Sequence, residues 1–321
     1  MNSKKINKIQ DVEIPYSYEE LVFPSQYELV EKTLRKWNTP ARDFLRAETG
    51  LKLSVNSKQH SVSISIENSI PNGIESIVDD IGTESWILGR KRQMLESLRS
   101  DTADLGGYLK YNPTIKTHLG LLDQEIYSID EYLSTLDKII KQLPPLHGEV
   151  STKFKAINED VLGTYSILNS HIELYWIPIA LIAEAINASI EDLTIIVLIH
   201  ELAHAYTHIG MDIGGRSWET QDFRKSDLAV LEGLAQYYTY TFLASIQKNQ
   251  PNVLTVFENL LKMQHSVYHT FKIWMGDSQD GRSEAGRSEA IRLALLDARL
   301  KGVVNEYEFS AGTSENLRRL R

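Results

Sequence analysis

The chain contains no cysteine. Disulfide staples, thiolate metal sites and cysteine nucleophiles are thereby excluded, and any metal must be held by nitrogen and oxygen. Basic residues are in deficit: 34 Lys and Arg stand against 43 Asp and Glu, a formal charge of −9. Such a molecule offers no general attraction to a phosphate backbone or an anionic lipid surface, so neither nucleic acid nor a membrane is expected as a partner. Long apolar runs are missing too. The most apolar stretch, LYWIPIALIAEAI from Leu174, is interrupted by Pro178 and Glu184 and falls short of the roughly 20 residues that cross a bilayer. The beginning, MNSKKINKIQDVEIPYSYEE, has no apolar segment of the secretory kind. A reducing, cytoplasmic setting is the expectation.

What is present is enough chain, 321 residues, for one large domain or two smaller ones. The first hundred residues read as mixed α and β. YELVEKTLRKW is helical in pattern, with Pro40 suited to the first turn of a second helix. LKLSVNSKQHSVSISIE alternates on either side of NSKQ and predicts a β-hairpin. ESWILGRKRQMLESLRS predicts a helix, with Arg90, Lys91 and Arg92 on a solvated face. Next, LGGYLKYNPTI (105–115) and LGTYSILNSHI (162–172) share Leu, Gly, Tyr, Asn and Ile at the same offsets and predict two similar hairpins. Between them SIDEYLSTLDKIIKQLPPL predicts a helix opened by Ser128 with Glu131 and stopped by Pro144 and Pro145.

From residue 177 the pattern is helical. IPIALIAEAINA forms one helix, and Ser189 with Asp192 opens the next, which ends near Gly210. After the loop GMDIGGRSWETQDFRK come SDLAVLEGLAQYYTYTFLASIQK, PNVLTVFENLLKMQHSVYHTFKIWM and, as the last helix, SEAIRLALLDARLKG. The polar repeat GRSEAGRSEA reads as a mobile loop. These patterns predict an N-terminal accessory region over 1–104 and a second domain over 105–321, with its core at 160–275.

The chemistry concentrates in TIIVLIHELAHAYTHIG (194–210). On a helix, residues four apart share a face, so His200 and His204 can direct their rings at one cation. Glu201 is rotated by about 100° and can stand beside that cation without ligating it. This H-E-x-x-H spacing is what zinc hydrolysis requires: two imidazoles hold the ion, one position stays open for water, and a carboxylate takes the water's proton. With nine histidines in 321 residues, a chance match is about a 2 per cent event. About two apolar turns, LTIIVLI, precede the motif, and buried imidazoles and a carboxylate are expensive there unless something satisfies them.

A catalytic zinc takes a third protein ligand. His208 lies about 12 Å along the helix from His200 and reads as a C-terminal residue favoured by the helix dipole. Gly210 occupies the place where a third histidine ten residues after the first would stand. The remaining candidate is Glu232 in LAVLEGLAQYYTY, with Asp222 and Asp227 as fallbacks. HELAH followed by LEGLAQYY resembles the gluzincin group of zinc metallopeptidases. The likeness covers residues 200–240 at motif level. It implies a mainly helical α+β zincin-like fold with a small β-sheet beside the metal helix, Zn²⁺ on His200, His204 and Glu232, Glu201 as general base, and a peptide or protein substrate. Where several gluzincins carry an aspartate, this chain has Gln236, whose amide oxygen is expected to accept an imidazole N–H.

Peptide hydrolysis also needs a donor for the developing oxyanion. His265, Tyr268, His269, Arg282 and Arg287 are candidates, with His269 preferred. SHIELYW (170–176) is expected to line the cleft as an edge strand that pairs with an extended peptide. Two other functions share these motifs: a zincin-fold binding protein without catalysis, and a hydrolase of a non-peptide amide.

Overall fold

The computed structural model describes residues 24–54, 61–71, 84–109, 116–140, 161–275 and 283–320. Helix α1 (Pro24–Thr49) buries Val30, Trp37, Ala41 and Leu45, a set at helical spacing. It runs unbroken through Pro40, so the second helix expected there is part of the first. Strands β1 (Ser63–Glu67), β2 (Gly163–Ser166) and β3 (His171–Tyr175) form one sheet in the order β1-β3-β2. β2 and β3 are an antiparallel hairpin, whereas β1 lies parallel to β3.

That pairing corrects two expectations. β1 is a strand as its alternation predicts, but its partner is β3, and Lys52 from the other expected arm bridges to Met211 instead. Alternation specifies a strand's faces but not its neighbour. The two similar stretches also part company: 162–172 is the β2–β3 hairpin, while 105–109 is the last turn of helix α2 (Glu84–Leu109) and 110–115 lies outside the described residues.

α2 packs against helix α3 (Lys116–Ile140) as an antiparallel pair. Ser128 does not open α3 but sits inside it, its hydroxyl donating to the Gln124 carbonyl at 3.0 Å; Pro144 and Pro145 lie outside the described residues. The expected domain boundary at residue 104 falls within α2, and α1 and β1 pack with the elements that follow it.

At the centre is helix α5 (Ile190–Ile209), which follows helix α4 (Trp176–Ala185) and is buried from Asp192 to Ile209. Ser189 caps it, accepting from the Asp192 N–H at 2.9 Å. A helix apolar on every face needs cover on every face. α1, α4, β2, helix α7 (Leu228–Ile246) and helix α8 (Val253–Met263) supply it. The loop before α7 contains a short helix, α6 (Thr220–Lys225).

The long fourth helix of the sequence reading is interrupted. α8 stops at Met263, a 3₁₀ turn spans Ser266–His269, and helix α9 covers Phe271–Met275. His265 is extended and caps the 3₁₀ turn, so His265 and His269 do not share a helix face. Most of the repeat expected as a loop is helical: Ser283 caps helix α10 (Glu284–Lys301). A further helix, α11 (Glu306–Arg319), opens at the Asn305 cap and goes beyond the expected last one. The architecture is mainly helical α+β, as expected, and no helix among the described residues is long and apolar enough to cross a membrane.

Candidate metal centre

α5 and α7 lie side by side and bring three side chains to one point. His200 Nε2 is 3.1 Å from His204 Nε2. Glu232 Oε2 is 3.2 Å from the first nitrogen and 3.5 Å from the second. An ion with tetrahedral ligands at about 2.0–2.1 Å separates its donors by about 3.4 Å, so the three spacings fit one ion. All three residues are buried, and Glu232 Oε2 makes no aligned hydrogen bond. A buried carboxylate oxygen facing two ring nitrogens is a donor set that can hold a cation.

The electrostatics agree. Burial alone would raise the Glu232 carboxyl, but the two imidazoles, His204 foremost, outweigh it and hold the carboxyl well below the usual carboxylate range. Burial would lower His204, and the Glu232 charge overcomes it and raises the ring. Each member of the cluster thus stabilises the charge of another.

Glu201 follows His200 on α5 and is buried beside β2. The approach is close at Gly163, where a Cβ would lie 2.6 Å from Val197 Cγ1, 3.2 Å from Glu201 Cγ and 3.2 Å from the Glu173 carbonyl. Only glycine lets the sheet come this near α5. LGTY carries this glycine openly, but its close partner is a distant helix that no local pattern names.

Tyr268 is buried with its ring 6.0 Å from that of His200. Among the oxyanion-donor candidates, Tyr268 places its ring beside the cluster. His269 is half-buried at the end of the 3₁₀ turn, His265 caps that turn, Arg287 neighbours Tyr237 on α7, and Arg282 lies outside the described residues.

Three expectations are corrected. Gln236 is buried one turn beyond Glu232, but its amide nitrogen donates to Gln264 Oε1 at 3.2 Å and its oxygen makes no hydrogen bond, so it accepts nothing from an imidazole. His208 is not a cation at a helix end. Burial pushes its pKa down to about 4, Tyr165 Oη lies 3.0 Å from Nδ1, Thr220 Oγ1 lies 3.2 Å from Nε2, and Phe223 stacks on the ring. Finally, β3 is not an edge, since β1 and β2 flank it. Neither fallback ligand joins the cluster: Asp227 caps α7, and Asp222 lies beside Gly302.

The C-terminal end of α5 is held by Arg299, which no motif announced. Its guanidinium donates to the carbonyls of Thr207, Gly210 and Arg216, and burial brings its pKa down to about 10. A buried cation at the last turn satisfies the open carbonyls and the helix dipole together.

Set against family models, curated proteins and solved structures, the chain finds no match.

Proposed function

We propose that this protein is a zinc-dependent peptidase of zincin-like fold, acting on peptide or protein substrates. The observation that carries the reading is the convergence of His200, His204 and Glu232 at tetrahedral spacing, with Glu201 next to the first ligand. Two imidazoles and a carboxylate suit zinc among divalent ions. Bound there, the ion supplies Lewis acidity that lowers the pKa of a water and polarises a carbonyl.

The remaining work falls to the chain. Glu201, buried beside β2, accepts the water's proton and returns it to the leaving amine. The Tyr268 phenol, beside His200, is the donor for the developing oxyanion in this reading. Substrate docks on β2 and not on β3. The Tyr175 N–H donates to the Leu162 carbonyl, so antiparallel alternation turns the main-chain groups of Gly163 and Tyr165 to the outer edge, where no described strand pairs.

Metal analysis of the purified chain beside two variants tests this reading. Wild type is expected to hold one zinc per chain, His204→Ala to lose it, and Glu201→Gln to keep it while peptide-library turnover disappears. Full turnover by Glu201→Gln, or His204→Ala retaining the metal, would overturn the proposal.

A further inference from the structure

The sheet turns one face toward α5 and the other away from it. Alternation along β3 buries Ile172 and Leu174 completely, so His171, Glu173 and Tyr175 belong to the far face. β1 runs parallel beside them, with Ser63 opposite His171, Ser65 opposite Glu173 and Glu67 opposite Tyr175. This register sets hydroxyls, an imidazole and carboxylates side by side on the surface that faces away from α5.

Four of these side chains are linked in sequence. Ser63 Oγ lies 2.7 Å from His171 Nδ1, Ser65 Oγ lies 2.8 Å from His171 Nε2, and Ser65 Oγ donates to Glu67 Oε1 at 2.5 Å. A serine has one hydroxyl proton, and Ser65 gives it to a carboxylate, which only accepts. At His171, Ser65 must therefore accept, which places the ring proton on Nε2 and the lone pair on Nδ1. That lone pair accepts from the Ser63 hydroxyl. Glu173, a second carboxylate on this face, is engaged by Tyr175 Oη, which donates to it at 2.8 Å. Ser63 is exposed, whereas His171, Ser65 and Glu67 are half-buried, so the hydroxyl is open to a reactant while the groups behind it are held. A hydroxyl bonded to a base that a third group orients is the arrangement of an activated nucleophile.

We propose that Ser63 is a nucleophile activated by His171, and that this face hydrolyses aryl esters through an acyl-serine. Ser63 Oγ attacks the ester carbonyl carbon while its proton passes to His171 Nδ1. The bond from that carbon to the aryl oxygen breaks, and the phenolate leaves with the electron pair and takes the proton from the imidazolium. Water then attacks the acyl carbon, its proton passing to Nδ1 and from there to Ser63 Oγ as the acyl–serine bond breaks. The balance is ester and water to carboxylic acid and phenol. Aryl esters are the substrate class because a phenolate departs without a positioned acid. Ser65 and Glu67 touch no reacting atom; they are positioning residues that hold the ring in its Nε2–H tautomer. The site is separate from the peptidase reading, in which a metal-bound water attacks directly and leaves no acyl group on the chain.

The full chain mixed with p-nitrophenyl acetate tests the site. A burst of p-nitrophenolate is expected, with the acetyl group mapped to Ser63 by peptide mass spectrometry. Ser63→Ala should remove that acetyl, and His171→Gln should slow its formation by about 100-fold or more. Nitrogen NMR of the His171 ring reads the positioning role: the Nε2–H tautomer in wild type, and a mixture of tautomers in Ser65→Ala with acetylation slowed by about tenfold or more. The acetyl position and the tautomer are both read on wild type, so they decide the matter even where a variant does not fold. Acetyl on lysines alone, an unchanged rate at Ser63 in folded His171→Gln, or an Nδ1–H ring in wild type would overturn the site. None of these results bears on zinc content or peptide turnover, which test the other reading.

Discussion

His208 lies one turn beyond His204 on α5 and shares its residue type, yet its surroundings assign it the opposite task. The metal-cluster histidines face a carboxylate, whereas His208 faces a phenol, a threonine hydroxyl and a phenyl ring. With a folded pKa of about 4 against an ordinary value of 6.5, it stays neutral where the unfolded chain takes up a proton. The unfolded state then binds more protons between these two values, so stability is present above pH 6.5 and is lost as pH falls toward 4. The loss amounts to at most about 3 kcal/mol. Denaturant melts of wild type and His208→Gln between these pH values should show the difference between the two chains shrinking as pH falls. A constant difference would mean that His208 does not titrate as its burial requires.

Secondary elements show where close approach is decided. Gly163 allows β2 to touch α5, and Gly163→Ala would place a methyl against Val197 and the Glu173 carbonyl. The variant is expected to lose about 1–3 kcal/mol, as overpacked sites do. Val197→Ala in the same chain should recover part of it, because the nearest clash is with Val197 Cγ1 at 2.6 Å. Additive losses in the double variant, measured by chemical denaturation, would refute the contact. At the head of α5, Ser189→Ala removes the acceptor for the Asp192 N–H and should cost about 1 kcal/mol by the same measurement.

At the scale of the whole molecule, the N-terminal part is woven into the core of the part that carries the His200, His204 and Glu232 cluster. Val30, Leu45 and Leu51 are fully buried, α1 lies along α5, and β1 completes the sheet. A chain shortened to residues 105–321, the domain expected from sequence, would uncover the α5 face that α1 protects. It is expected to show no cooperative thermal transition, while the full chain unfolds cooperatively. A sharp calorimetric transition from the shortened chain would show that α1 is dispensable.

The span of α5, its Ser189 cap and the pairing of His200 with His204 on one helix face were legible from one sequence. Local periodicity and i, i+4 geometry are properties of a single helix and need no tertiary knowledge. The pairing of β1 with β3 was not legible, nor was the helical fate of GRSEAGRSEA, because strand partners and polar helices are selected by distant neighbours. The environments of Gln236, His208 and Arg299 were equally hidden. A side chain's type is written locally, but its charge state and hydrogen-bond partners depend on what other elements bring beside it. Sequence alone determined which residues could meet a metal. Only the packing of α7 against α5 decided that three donor atoms stand 3.1–3.5 Å apart, because that spacing is set by two helices that share no local pattern.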